Sequence, residues 1–207
     1  MKKYFFFAAC ASVAFASCVN DVPDAPANNE QREITFDVPV VQPNSRTQTE
    51  VGTAYENGGD YRVTAWWFKD GNYKAGTANL TFMNNVQISK TTNKPSDPYF
   101  YPKNGTLTFI AYSPANLANV TVNKNSGITI GDYVADGETS GDEQDDILFS
   151  ERRYNMENGT VSILFNHALS SIRFAAKTED DYTGVSVKIN DITLENVRRK
   201  GTFTQNL

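Results

Sequence analysis

The sequence predicts an all-β protein built as a β-sandwich, and three observations predict it. Strand-favouring residues dominate: 13 Phe and 10 Tyr stand beside abundant Val, Ile and Thr. Windows rich in Ala, Leu or Glu are scarce after the first eighteen residues. Short runs that alternate apolar and polar recur at close spacing, with Asn, Asp, Gly and Pro between them, as in sandwiches.

The first element is a leader, residues 1–17. Lys2 and Lys3 open it, Tyr4 to Ala16 form a short apolar run, and Ala16 and Ser17 lead into Cys18. That is the build of a secretory signal peptide, too short and wrongly flanked for a membrane-spanning helix. A cysteine at the cleavage point marks a bacterial lipoprotein signal: the bond before Cys18 is cut and its thiol acylated. Phe15 stands where Leu is commoner, and Cys10 has only six apolar residues before it. An ordinary signal cut nearby, with Cys18 incidental, is the competing reading.

Acylation, palmitate included, would tie the chain to outer-membrane lipid through Cys18. Each buried methylene contributes roughly 0.8 kcal/mol, and two or more chains anchor stably. With Cys10 removed and Cys18 acylated, neither cysteine is left for a disulfide, a metal or a nucleophile. Loss of Lys2 and Lys3 takes the formal charge from −5 to −7. An acidic chain without a basic cluster argues against nucleic acid as a partner.

Residues 18–32 are polar, contain Pro23 and Pro26, and show no periodicity, so they read as a flexible, disordered tether. The folded domain is assigned to residues 33–207. Ile34, Phe36 and Val38 alternate with polar neighbours, as a half-buried strand should. Residues 42–59 read as loop, with Arg46 followed by Thr47 in an open, polar setting.

Residues 61–69 (YRVTAWWFK) predict a strong strand, turned by Asp70-Gly71-Asn72. Residues 80–82 and 86–88 predict two further short strands. After Asn104-Gly105, residues 107–112 place Leu107, Phe109 and Ala111 on one face and Ile110 and Tyr112 on the other. A strand apolar on both faces is covered on both sides. Residues 120–122 and 128–130 predict weaker strands, 136–146 an acidic loop, and 147–149 a short apolar run.

The last third alternates most cleanly: Val161, Ile163 and Phe165; Ile172, Phe174 and Ala176; Val185, Val187 and Ile189; Ile192 and Leu194. Residues 166–171 between the first two runs read as a corner or one helical turn.

Catalytic and metal chemistry finds little support. His167 is the sole histidine, and a triad or zinc site needs partners that one His beside Ala and Leu does not supply. A packed or capping corner residue is its expected role. The acidic loop offers oxygen ligands but lacks the order and the spaced Glu of an EF-hand loop. No carboxylate pair stands out for glycoside cleavage. The sequons at Asn79, Asn104, Asn119 and Asn158 are expected coincidences in an Asn/Thr-rich bacterial chain. Trp66 and Trp67 suggest a sugar platform, yet strand neighbours face opposite ways, so at most one is exposed. No enzyme activity and no cofactor is expected.

Several segments together resemble the fimbrillin family, the type V pilus subunits and related surface lipoproteins of Bacteroides-like bacteria. They are the lipoprotein start, Tyr101-Pro102 before Leu107 to Pro114, and Asp145-Asp146-Ile147-Leu148. Val161 to Phe174 with its His-Ala-Leu-Ser corner, Ile189 to Val197, and Gly201-Thr202-Phe203 complete the set. The resemblance implies a transthyretin-like β-sandwich, the N-terminal domain of a two-domain subunit whose second domain is absent here. It also implies a surface-exposed outer-membrane lipoprotein or fimbrium component, in a shaft, anchor or tip role, engaged with other fimbrial subunits and with a host or bacterial receptor. Assembly would proceed by strand exchange after an arginine-specific cut following the first strand. Arg46-Thr47 is placed for that cut, and Ile34, Phe36 and Val38 form the exchangeable strand. The alternative is a glycan-binding surface lipoprotein.

Overall fold

The computed structural model describes residues 32–39, 59–74, 78–135, 146–169, 174–177 and 188–205. Eleven strands occur among them: β1 (Thr35–Asp37), β2 (Tyr61–Phe68), β3 (Leu80–Ile88), β4 (Thr106–Ser113), β5 (Val120–Asn123), β6 (Gly127–Val134), β7 (Leu148–Ser150), β8 (Arg153–Met156), β9 (Thr160–Ser162), β10 (Phe165–His167) and β11 (Lys200–Thr204). The architecture is the predicted all-β sandwich. Cys18, the tether up to residue 31, Arg46, Thr47, Ile172, Val185, Val187 and most of the acidic loop lie outside the described residues.

A six-stranded antiparallel sheet runs β10-β7-β4-β2-β3, with β8 pairing the stretch of β4 that β7 leaves free. The alternation in β2 and β4 explains why this sheet is central. Val63, Ala65, Trp67, Leu107, Phe109 and Ala111 pack into one core, which the β1–β9 pair closes with Ile34, Phe36 and Val161. Trp66, Phe68, Ile110 and Tyr112 pack into a second core on the opposite face. There the three-stranded sheet β11-β6-β5 covers them through Ile128, Ile130 and Phe203. Phe203 stacks on Phe149 with ring centroids 4.5 Å apart.

The predicted Asp70-Gly71-Asn72 turn is present, with Gly71 at φ 79° and its N–H donating to Phe68 O at 3.1 Å. The β2–β3 connection is nevertheless longer than a tight hairpin, because β3 starts only at Leu80. The two short strands expected at 80–82 and 86–88 are one strand. Its register against β2 shifts around Ala65, and Asn85 takes the left-handed conformation at φ 54°. Asn104-Gly105 leads into β4 where only glycine fits. A Cβ on Gly105 would lie 2.3 Å from Phe68 O, and φ is +76°.

The last third departs most from expectation. Val161, Ile163 and Phe165 are all buried, yet the run splits: β9 pairs with β1 and β10 pairs with β7. Asn166 and His167 finish β10 rather than turning a corner; Ala168 and Leu169 fold onto the second core. Phe174, Ile189, Ile192 and Leu194 belong to no strand and are about half exposed. Alternation supplies a face for burial, but a strand also needs a ladder neighbour, and none pairs with these residues among those described. β8 and β11 form without a predicted apolar alternation; β8 follows β4, and β11 follows β6 with a bulge at Gly201–Phe203.

Candidate strand-exchange site

The first strand is only three residues long, yet it enters the larger core. Ile34 is fully buried and Phe36 is 5% exposed, while Val38 packs half-buried at the edge of the same cluster. Burying one such side chain contributes roughly 1.5–3 kcal/mol. Phe36 meets Phe109 of β4 edge to face, centroids 6.0 Å apart and rings at 81°.

Two neighbours hold this segment. On one side it runs parallel to β9, with Thr35 opposite Thr160, Phe36 opposite Val161 and Asp37 opposite Ser162. The Thr35 and Thr160 hydroxyls lie 2.9 Å apart on the outer side, and Ile163 N–H donates to Asp37 O at 2.7 Å. On the other side Ile34 N–H donates to Tyr99 O at 2.8 Å and Tyr101 N–H to Arg32 O at 2.9 Å. Lys94 Nζ reaches Glu33 Oε1 at 3.0 Å, an exposed pair worth little by itself.

Tyr101 forms the wall of the slot. Its ring is fully buried and its hydroxyl donates to Gly159 O at 2.9 Å. Burial pushes its pKa up to about 12, against the opposing pull of Arg32. The segment 99–101 as a neighbour of β1 was not foreseen. Tyr101-Pro102 gave an aromatic signal, but alternation names a face and never a partner.

This arrangement seats a short strand through apolar side chains on one face and backbone hydrogen bonds on both flanks. Deep apolar pockets receive alternate side chains, and backbone groups on both flanks supply ladder bonds to any chain of the same pattern.

The other residues singled out from the sequence lie elsewhere. His167 is at the surface rather than packed, with Nδ1 2.8 Å from Asp146 Oδ1, tying the end of β10 to the approach to β7. Trp66 and Trp67 point to opposite faces as expected, and both are buried, at 5% and 4% exposure. Trp67 Nε1 donates to Asn104 O at 2.9 Å. Neither indole offers a free stacking face.

Arg152, on the opposite face of the central sheet, is a buried charge that the sequence concealed. It lies in the break between β7 and β8, is 8% exposed, and faces the rings of Trp66 and Tyr73 at 5.9 and 5.2 Å. Its Nη1 donates to Tyr73 Oη, but Nε and Nη2 have no hydrogen-bond partner among the described residues. Its only signal in the sequence is a charged Glu-Arg-Arg run between two short strands.

A family model described as fimbrillin-like matches residues 46–206, a span that holds β2 to β11 and leaves β1 outside. No curated protein and no solved structure matches the chain.

Proposed function

The chain belongs to the fimbrillin-like family of structural subunits, and from that premise we propose that it is a fimbrial subunit or accessory component assembling by exchange of β1. The observation that carries this reading is the lodging of Ile34 and Phe36 in the core by a three-residue strand and the residue before it. A strand that short makes few ladder bonds while filling large pockets. A partner's strand with the same alternation can therefore replace it at little net cost.

A cut at Arg46-Thr47 supplies the switch. Before it, β1 is covalently joined to the rest of the domain, so its return to the slot is intramolecular and outcompetes a partner's strand. After it, β1 is a separate peptide that dilutes away, and a partner's strand takes the slot. Ile34, Phe36 and Val38 are the side chains exchanged. Acylated Cys18 holds the precursor at the outer membrane until that cut. The partners are other fimbrial subunits, and the chain works as a binding and structural component rather than as an enzyme.

Mass spectrometry of the native N-terminus in membrane and shed-fibre fractions tests this reading. A chain in fibres beginning at Thr47 is expected, with lipidated Cys18 on the uncut precursor in membranes. Fibre-borne chains that all retain β1 would overturn it.

A further inference from the structure

We infer that Ile192 to Glu195 is the strand that a second copy of this chain inserts into the slot vacated by β1. The inference rests on the strand-exchange reading above and names the donor. The two segments carry the same order of side chains: Ile34-Thr35-Phe36-Asp37 in the slot and Ile192-Thr193-Leu194-Glu195 in the donor. Two positions are identical, and the other two keep their character, a large apolar residue and then an acid. In the slot this order sends Ile34 and Phe36 into the core and leaves Asp37 exposed.

The donor segment is unengaged where it stands. Ile192 and Leu194 are 52% and 51% exposed, and Ile189 and Val197 beside them are equally open. Among the described residues, Ile192 to Glu195 belong to no strand and make no backbone hydrogen bond. The Thr193 hydroxyl donates locally to Asp191 Oδ2 at 3.3 Å. An unpaired segment with alternate apolar side chains has both halves of what strand addition uses, free ladder groups and side chains for pockets.

Seated in the register of β1, Thr193 faces Thr160, Leu194 faces Val161 and meets Phe109, and Glu195 faces Ser162. Ile192 takes the fully buried position of Ile34, its N–H donating to Tyr99 O, and Ile163 N–H donates to Glu195 O. The match ends at Val38, where the donor has Asn196. Val38 is half-buried at the edge of the core, so a carboxamide there reaches water. Leu194 fills the Phe36 position less completely than a phenyl ring does. The donor is thus the poorer occupant, and exchange waits until β1 has gone.

Reach assigns the segment to a second copy. Glu195 stands five residues before β11 begins at Lys200, a span of at most about 18 Å when fully extended. β11 covers one face of the central sheet and β1 lies on the other. Two sheet-to-sheet spacings of about 10 Å each separate those layers, before any detour around an edge. The chain's own slot is out of reach while β11 stays paired with β6.

A mixed pair of chains tests this. The acceptor is the full chain with Thr160→Cys and a unique protease site in place of Arg46-Thr47, folded and then cut. The donor is the uncut chain with Thr193→Cys. A peptide of residues 32–41 with Thr35→Cys is the reference occupant. The expected product is a disulfide between positions 193 and 160 of the two chains, located by mass spectrometry and formed only after the cut. Leu194 is half exposed, so Leu194→Lys in the donor spares its own core and should lower the yield by about tenfold or more. If the reference peptide links and the donor does not, the inference is overturned, while the strand-exchange reading stands with its strand supplied by another chain. Linkage that survives Leu194→Lys also overturns it, as does a bridge within one cut chain carrying both cysteines at high dilution. If neither peptide nor donor links, the slot does not exchange and both readings fail.

Discussion

Phe36 of the first strand meets Phe109 of the central strand edge to face, at 6.0 Å and 81°, although 73 positions separate them in sequence. The contact joins the segment proposed to leave with the strand that stays. It makes β1 a structural part of the domain until something equivalent replaces it. Phe36→Ala removes the ring and leaves a cavity against Phe109, and such deletions cost about 3–5 kcal/mol. Urea unfolding should show a loss near the lower end of that range, since β1 lies at the core's edge; Phe36→Leu should lose markedly less.

Alkaline titration reports on the same slot. The Tyr101 pKa is raised in the folded protein, so its contribution to stability is complete below about pH 10 and is lost as pH rises toward about 12. Tyr112 is displaced in the same direction by burial, opposed by its hydrogen bond to Asn85 Oδ1 and by Arg62. Tyr101→Phe should therefore flatten the fall in melting temperature across this window without abolishing it. An unchanged profile would show that Tyr101 ionises freely in the folded state.

Arg152 gives a prediction of opposite sign. A buried guanidinium with no carboxylate partner among the described residues loses hydration, and its contacts with Trp66 and Tyr73 offset only part of that cost. Replacing a buried charge by an apolar group of similar volume is often stabilising by about 1–4 kcal/mol. Arg152→Met should raise stability by about 1 kcal/mol at neutral pH, measured by urea unfolding. A loss of similar size would mean that Nε and Nη2 bind a group supplied from outside the described residues.

The central sheet was legible because β2 and β4 carry apolar residues on both faces, and a strand of that kind has to be covered twice. The first strand was legible from Ile34, Phe36 and Val38. Its surroundings were not: Thr160 and Tyr99 lie far along the chain, and the period of a strand specifies which side is buried without specifying a neighbour. The same limit explains the opposite error at Ile192 and Leu194, where the alternation is clear and no strand forms among the described residues.

The account stands on β1 leaving its slot, and a covalent lock tests that most directly. Thr35 and Thr160 face each other with hydroxyls 2.9 Å apart, close enough for a paired Thr35→Cys, Thr160→Cys variant to form a disulfide. Fibre assembly is then compared with the bridge oxidised and reduced, its state read by mass spectrometry. The account predicts that the oxidised protein folds but does not assemble, and that reduction restores fibres. Equal assembly with the bridge intact would contradict it.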